Sequence, residues 1–107
     1  MKKHTLFALA TLVLCAPAFA AKGNPDAGKS KAEPCKACHG DAGISAAPEF
    51  PKIAGQHADY LATALRHYKL GKRKNPIMAG QVANLSEKDM LDLAAYYSTQ
   101  AGLAIRY

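Results

Sequence analysis

The chain is 107 residues long, half hydrophobic by composition, with 14 Lys and Arg against 8 Asp and Glu for a formal net charge of +6. That length holds one small domain, and that composition excludes a disordered chain. The positive excess is mild and lacks interleaved aromatics, so it excludes a nucleic-acid partner and suits docking on an acidic protein surface.

The first stretch has the three parts of a secretory signal. Lys2 and Lys3 form a positive start, Leu6 to Ala16 is an uncharged apolar run, and Ala18-Phe19-Ala20 sets small residues at the cleavage positions. The run is shorter than the ~20 apolar residues that span a bilayer. Residues 1–20 are therefore expected to be a signal peptide, and residues 21–107 an exported, periplasmic domain without stable membrane insertion. An uncleaved anchor or a lipoprotein signal at Cys15 competes, although Leu14 stands where a lipoprotein signal wants a small residue. Cleavage lowers the formal charge by two and removes Cys15, leaving Cys35 and Cys38. Two cysteines so close together staple almost nothing. A domain this small usually needs a staple, and a large bound cofactor would supply one.

In the remaining chain, Asn24 as N-cap, Pro25 in the first helical position and Asp26 in the first turn open a helix. It should run to about Glu33, where Pro34 bends or ends it. From Gly40 to about Gln56, Gly43, Pro48, Pro51 and Gly55 predict turns. A second helix is expected from about His57 to Leu70, with Leu61, Ala64, Leu65 and Tyr68 on one face and Gly71 as its stop. A loop from Gly71 to Asn84 follows, holding Lys72-Arg73-Lys74, Pro76, Met78 and Gly80. Ser86 and Asp89 then form a capping box before a third helix with Met90, Leu93, Ala94 and Tyr97 on one face. No segment reads as a strand. The fold class is all-α, three main helices with long loops, and loops of that length usually have a functional reason.

Cys35-Lys36-Ala37-Cys38-His39 is the pattern C-x-x-C-H, a haem attachment signature. Three residues apart on a helical turn, the two sulfurs share a face and can each form a thioether to a haem vinyl group. His39 then lies beneath the macrocycle as an iron ligand. A thioredoxin-like dithiol competes, but no βαβ periodicity accompanies it. A zinc site completed by His57 and His67 competes as well.

The order and spacing of further pieces resemble the class I cytochrome c family. The similarity is greatest to its small bacterial mono-haem members and to one half of its di-haem members. Gly28, seven residues before Cys35, is similar to the glycine where the family's N-terminal helix crosses the C-terminal one, and Tyr96 to the aromatic packed there. Cys38-His39-Gly40-Asp41, then Pro51 to Gln56 with Tyr60-Leu61, resemble the subgroup's haem and loop motifs. Gly71-Lys72-Arg73 to Met78 to Asn84-Leu85-Ser86 resembles its distal-ligand loop. Pro34 is the clearest departure. The resemblance implies a cytochrome c-like fold around one covalent haem c, with iron held by His39 and Met78 and the Pro48 carbonyl accepting the proton of His39.

The residues bear on that ligand set independently. Met90 lies on the apolar stripe of the third helix, where packing is its expected role. Met78 follows Asn75-Pro76-Ile77 in a loop, where extended backbone can aim its sulfur at iron; filling a gap in the pocket is the competing role. His57 and His67 fall at a helix start and on a polar side, and surface roles are expected for both. With two axial positions filled, no catalytic residue is expected. The domain is then a monomeric one-electron carrier, not an enzyme, and its partners are redox proteins with acidic docking surfaces. The rivals are a five-coordinate haem enzyme or gas sensor, and a domain docked permanently on a larger oxidase or dehydrogenase.

Overall fold

The computed structural model describes residues 22–102, and residue 12 by itself; apart from that residue, the expected signal peptide, with Cys15, lies outside the described residues. Within them the chain forms five helices and no strand. They are α1 (Pro25–Lys31), α2 (Glu33–His39), α3 (Ala58–Lys69), α4 (Pro76–Val82) and α5 (Glu87–Ser98), with a 3-10 turn at Asp41–Gly43. None of the described helices is long and apolar enough to cross a membrane.

The Asn24 side chain caps α1 as expected, accepting from the backbone N–H groups of Asp26 and Ala27 at 2.9 and 3.2 Å. Of the bend or end expected at Pro34, the structure shows a break between two successive helices, two residues before the proline. The chain breaks at buried Ala32, and Pro34 lies in the first turn of a new helix, α2. The cause is proline's missing N–H. A continuous helix would lose a hydrogen bond and push the ring into a carbonyl one turn back, whereas in a first turn nothing is lost. The expected loop from Gly71 to Asn84 is corrected as well, because Asn75 caps a seven-residue helix, α4, within it.

The third expected helix is α5, and its capping box forms in both directions. Asp89 N–H donates to the Ser86 hydroxyl at 3.1 Å, and Ser86 N–H donates to the Asp89 carboxylate at 2.9 Å. Met90, Leu93, Ala94 and Tyr97 are all buried. On α3, Leu61 and Ala62 are buried while Ala64, Leu65 and Tyr68 are half-buried. The core is the packing of α5 against α1 and α3, and each fully buried leucine there contributes roughly 1.5–3 kcal/mol.

Two local features fix this core. A Cβ on Gly28 would stand 2.0 Å from the Asp92 carbonyl oxygen and 2.7 Å from Tyr96 Cβ, so α1 and α5 cross at backbone contact. Beside that crossing lies a buried carboxylate, Asp92, whose side chain is 2 % exposed. It accepts from Asn24 N–H at 2.8 Å and pairs with Lys31 and Lys88 at 2.7 and 2.6 Å. Lys31 also reaches Asp89 at 2.8 Å.

Candidate functional site

The five-residue motif lies on α2, the only one of the five described helices with no buried residue. Cys35, Cys38 and His39 are all half-buried there, and both cysteines are free thiols. Cys35 packs against the core cluster that contains Leu61, Leu93 and Tyr97. Burial pushes its thiol above the usual range, and the Tyr97 hydroxyl opposes part of that rise. Gly40, with φ of 78°, turns the chain immediately after His39. Any side chain there would collide with the Ile44 carbonyl oxygen, 2.1 Å from the Cβ position.

The imidazole of His39 is oriented by the segment that follows. Its Nδ1–H donates to the Pro51 carbonyl oxygen at 2.8 Å, since a carbonyl can only accept. With Nδ1 engaged, Nε2 is the ring atom left to a metal. The acceptor is Pro51, not Pro48. The Gly43 carbonyl takes the N–H groups of both Ile53 and Ala54, at 2.9 and 3.2 Å, which folds the chain next to Pro51 back on the 3-10 turn. Pro48 is exposed, inside a turn closed by Phe50 N–H on the Ala47 carbonyl at 3.2 Å.

Met78 is half-buried and occupies the first turn of α4, not an extended loop. The Asn75 side chain accepts from the N–H groups of Ile77 and Met78, both at 3.0 Å, which fixes the backbone at that turn. The chain leading there is held as well. Arg73 N–H donates to the His67 carbonyl at 3.1 Å, and its guanidinium lies 5.1 Å from the Tyr68 ring centroid. Met90 is 4 % exposed in the core, the role its stripe predicted. His57 is exposed at the start of α3 and His67 is half-buried. Among the described residues no three His, Cys, Asp or Glu side chains converge as a metal-ion site, so the zinc reading finds no cluster.

This donor set fits a covalently held haem. Two free thiols three residues apart precede an oriented imidazole, on a helix with no buried residue. Ile44 and Ile77, large apolar side chains, are 46 % and 56 % exposed. Sequence reasoning missed Asp92, the Pro51 acceptor and the buried hydroxyl of Tyr97. Asp92 did leave a signal: an acidic residue inside the otherwise apolar run from Met90 to Tyr97.

Comparison with known proteins gives the same answer. The family model described as cytochrome c matches residues 25–100. Cytochrome c4 of Pseudomonas aeruginosa is 46 % identical over 100 residues, covering 94 % of this chain and 49 % of that protein. Cytochrome c-554(548) of Halomonas halodenitrificans is 41 % identical over 81 residues, covering 73 % of this chain and 98 % of that protein. A crystal structure of reduced recombinant cytochrome c4 from Pseudomonas stutzeri superposes with a TM-score of 0.72 at 42 % identity, covering 76 % of this chain and 47 % of that one. The chain thus spans about half the length of its cytochrome c4 relatives. With α2 presenting the attachment pentapeptide and α1 crossing α5 at Gly28, the chain belongs to the cytochrome c family and takes one haem c in this domain.

Proposed function

We propose that this domain is an exported one-electron carrier. One haem c is attached through Cys35 and Cys38, and its iron is held by His39 and Met78. The observation that carries the reading is the His39–Pro51 hydrogen bond at 2.8 Å, which orients the imidazole through Nδ1 and leaves Nε2 for iron, on the helix that bears both thiols. Haem iron, when bound, supplies one-electron exchange between ferric and ferrous states. The rest is the work of the chain. Pro51 holds the ring plane and tautomer of His39, and Asn75 fixes the backbone of Met78. With imidazole and thioether both committed, no position is left for a substrate, and no residue is assigned a catalytic role.

The domain is proposed to be periplasmic after cleavage at Ala20, monomeric, and free of stable membrane insertion. Its partners are proposed to be redox proteins that dock an acidic surface on exposed Lys72 and Lys74, beside the turn that carries Met78. The match to a relative along 98 % of its length supports one domain with one haem as a working unit. The test is a pyridine haemochrome assay with a mass spectrum of protein exported by a maturation-competent host. The expected result is a c-type spectrum and the added mass of one haem; apoprotein mass alone would overturn the reading.

A further inference from the structure

The packing gives no reason for the hydroxyl of Tyr97. Its side chain is 3 % exposed and its ring leans on Tyr96, with centroids 4.9 Å apart. A Cβ on Gly43 would lie 2.9 Å from its Cδ1, and its backbone carbonyl holds the Gly55 N–H at 2.9 Å. The ring is therefore locked between α5 and the segment that carries Pro51, and it cannot swing out to water. Phenylalanine would fill the same space without stranding a polar atom. Yet the buried hydroxyl makes no well-formed hydrogen bond within the protein. Its polar neighbour is Cys35, which packs against the same cluster.

We propose that Tyr97 is a positioning residue for the haem, its hydroxyl donating a hydrogen bond to the Cys35 sulfur once that sulfur has become a thioether. The inference rests on Cys35 being an attachment site. Attachment adds the Cys35 S–H across a vinyl double bond. The sulfur bonds to one vinyl carbon, the hydrogen ends on the other, and no oxidant or reductant is consumed. Before that addition the thiol can donate as well as accept; afterwards the sulfur has only lone pairs. The phenol is then the only possible donor of the pair, and its O–H has one direction to point. Two consequences follow. Rotation about the Cys35 Cβ–Sγ bond is restrained, and the positive end of the buried O–H dipole is turned toward the sulfur that bonds the haem. A fixed positive end there disfavours ferric iron and raises the reduction potential. Burial pushes the Tyr97 phenol well above its usual range, so it remains a donor throughout the working pH range.

The test compares wild-type holoprotein with Tyr97→Phe by redox titration and by resonance Raman spectra of the thioether C–S stretch in H2O and D2O. The expected result is a lower midpoint potential in Tyr97→Phe with haem still attached by mass. The C–S band should be sensitive to D2O in wild type and insensitive in the variant. In a Cys35→Ala background, with haem held by Cys38 alone, Tyr97→Phe should no longer shift the potential. A haem-loaded Tyr97→Phe protein with the wild-type potential would overturn the inference while leaving the attachment intact. If Tyr97→Phe does not accumulate, the wild-type spectra decide: a C–S band indifferent to D2O overturns the inference. Wild-type protein with no haem bonded to Cys35 would remove the attachment reading itself, and the inference with it.

Discussion

Replacing Gly28 with alanine sets two calculable effects against each other. On an unobstructed helix the change stabilises by about 1 kcal/mol, because alanine loses less backbone freedom. At Gly28 the new Cβ would meet the Asp92 carbonyl oxygen at 2.0 Å, its carbon at 2.6 Å and Tyr96 Cβ at 2.7 Å. Two of these three atoms are α5 backbone, so no rotamer change relieves the clash. The helices would have to part by roughly 1 Å or more to approach an ordinary contact of ~3.5 Å. Overpacking costs about 1–3 kcal/mol, and an immobile backbone puts this site near 3. Subtracting the helix gain leaves a net loss of about 2 kcal/mol. Each kcal/mol moves the Tm of a domain this size by about 4–8 °C, so Tm should fall by about 8–16 °C. The assay is thermal unfolding of the holoprotein followed by circular dichroism, with Gly80→Ala as control. A Cβ on Gly80 meets nothing within 4 Å, and that variant should gain the helix term alone. An unchanged or raised Tm in Gly28→Ala would refute the reasoning, since helix propensity would then outweigh a contact that is not tight.

Acid should unfold the protein through the α1–α5 junction. Asp89 is held at about 2, chiefly by Lys31, and Asp92 still lower by the Asn24 N–H, Lys31 and Lys88. Carboxylates depressed in the folded state stabilise it above their ordinary pKa of ~4, and that stability is lost as pH falls through the folded values. Tm should drop steeply from about pH 4 downward, and calorimetry of Asp92→Asn should show a flatter acid limb. Met78→Ala should open the iron, giving a high-spin ferric spectrum and carbon monoxide binding to the ferrous form. Met90→Leu, nearly volume-conserving, should leave the spectrum unchanged and cost under about 1.5 kcal/mol. If the far-red sulfur-to-iron band survives Met78→Ala and vanishes in Met90→Leu, the ligand is misassigned. Charge reversal at Lys72 and Lys74 should slow association with an acidic redox partner and flatten its salt dependence, as read by stopped-flow; unchanged kinetics would reduce the patch to a solvated loop.

What the sequence made legible was local. The Asn24-Pro25 start, the Ser86–Asp89 capping box and the stripe Met90, Leu93, Ala94 and Tyr97 each depend on residues within two turns, and each stands in the structure. Asn75-Pro76 carries the same start signal as Asn24-Pro25. Within the span from Gly71 to Asn84, however, Gly80 and the shortness of the segment favour a loop over α4. Pro34 marks a bend or an end in the sequence, and only the path of the chain shows that it opens a second helix, since proline serves equally well in a first turn. The remaining misses are matters of chain path. Choosing between Pro48 and Pro51 for His39 depends on how Gly43 meets Ile53 and Ala54. The burial of Asp92 depends on Lys31 arriving from α1, 61 residues away in sequence.

The segment from Gly40 to Gln56 has almost no regular structure, yet its second half is anchored as firmly as a helix. The amides of Ile53 and Ala54 are spent on the Gly43 carbonyl and that of Gly55 on the Tyr97 carbonyl of α5. Opening the Gly55 amide requires α5 to yield, so native-state hydrogen exchange at Gly55 should track global unfolding, while the outer turn from Ala46 to Glu49 should exchange at the rate of a frayed loop. Irregular backbone would then rank among the slowest-exchanging parts of the molecule. On that expectation the carbonyl that orients His39 belongs to the slow-exchanging half of the segment, and the imidazole should keep one orientation even where the outer turn opens.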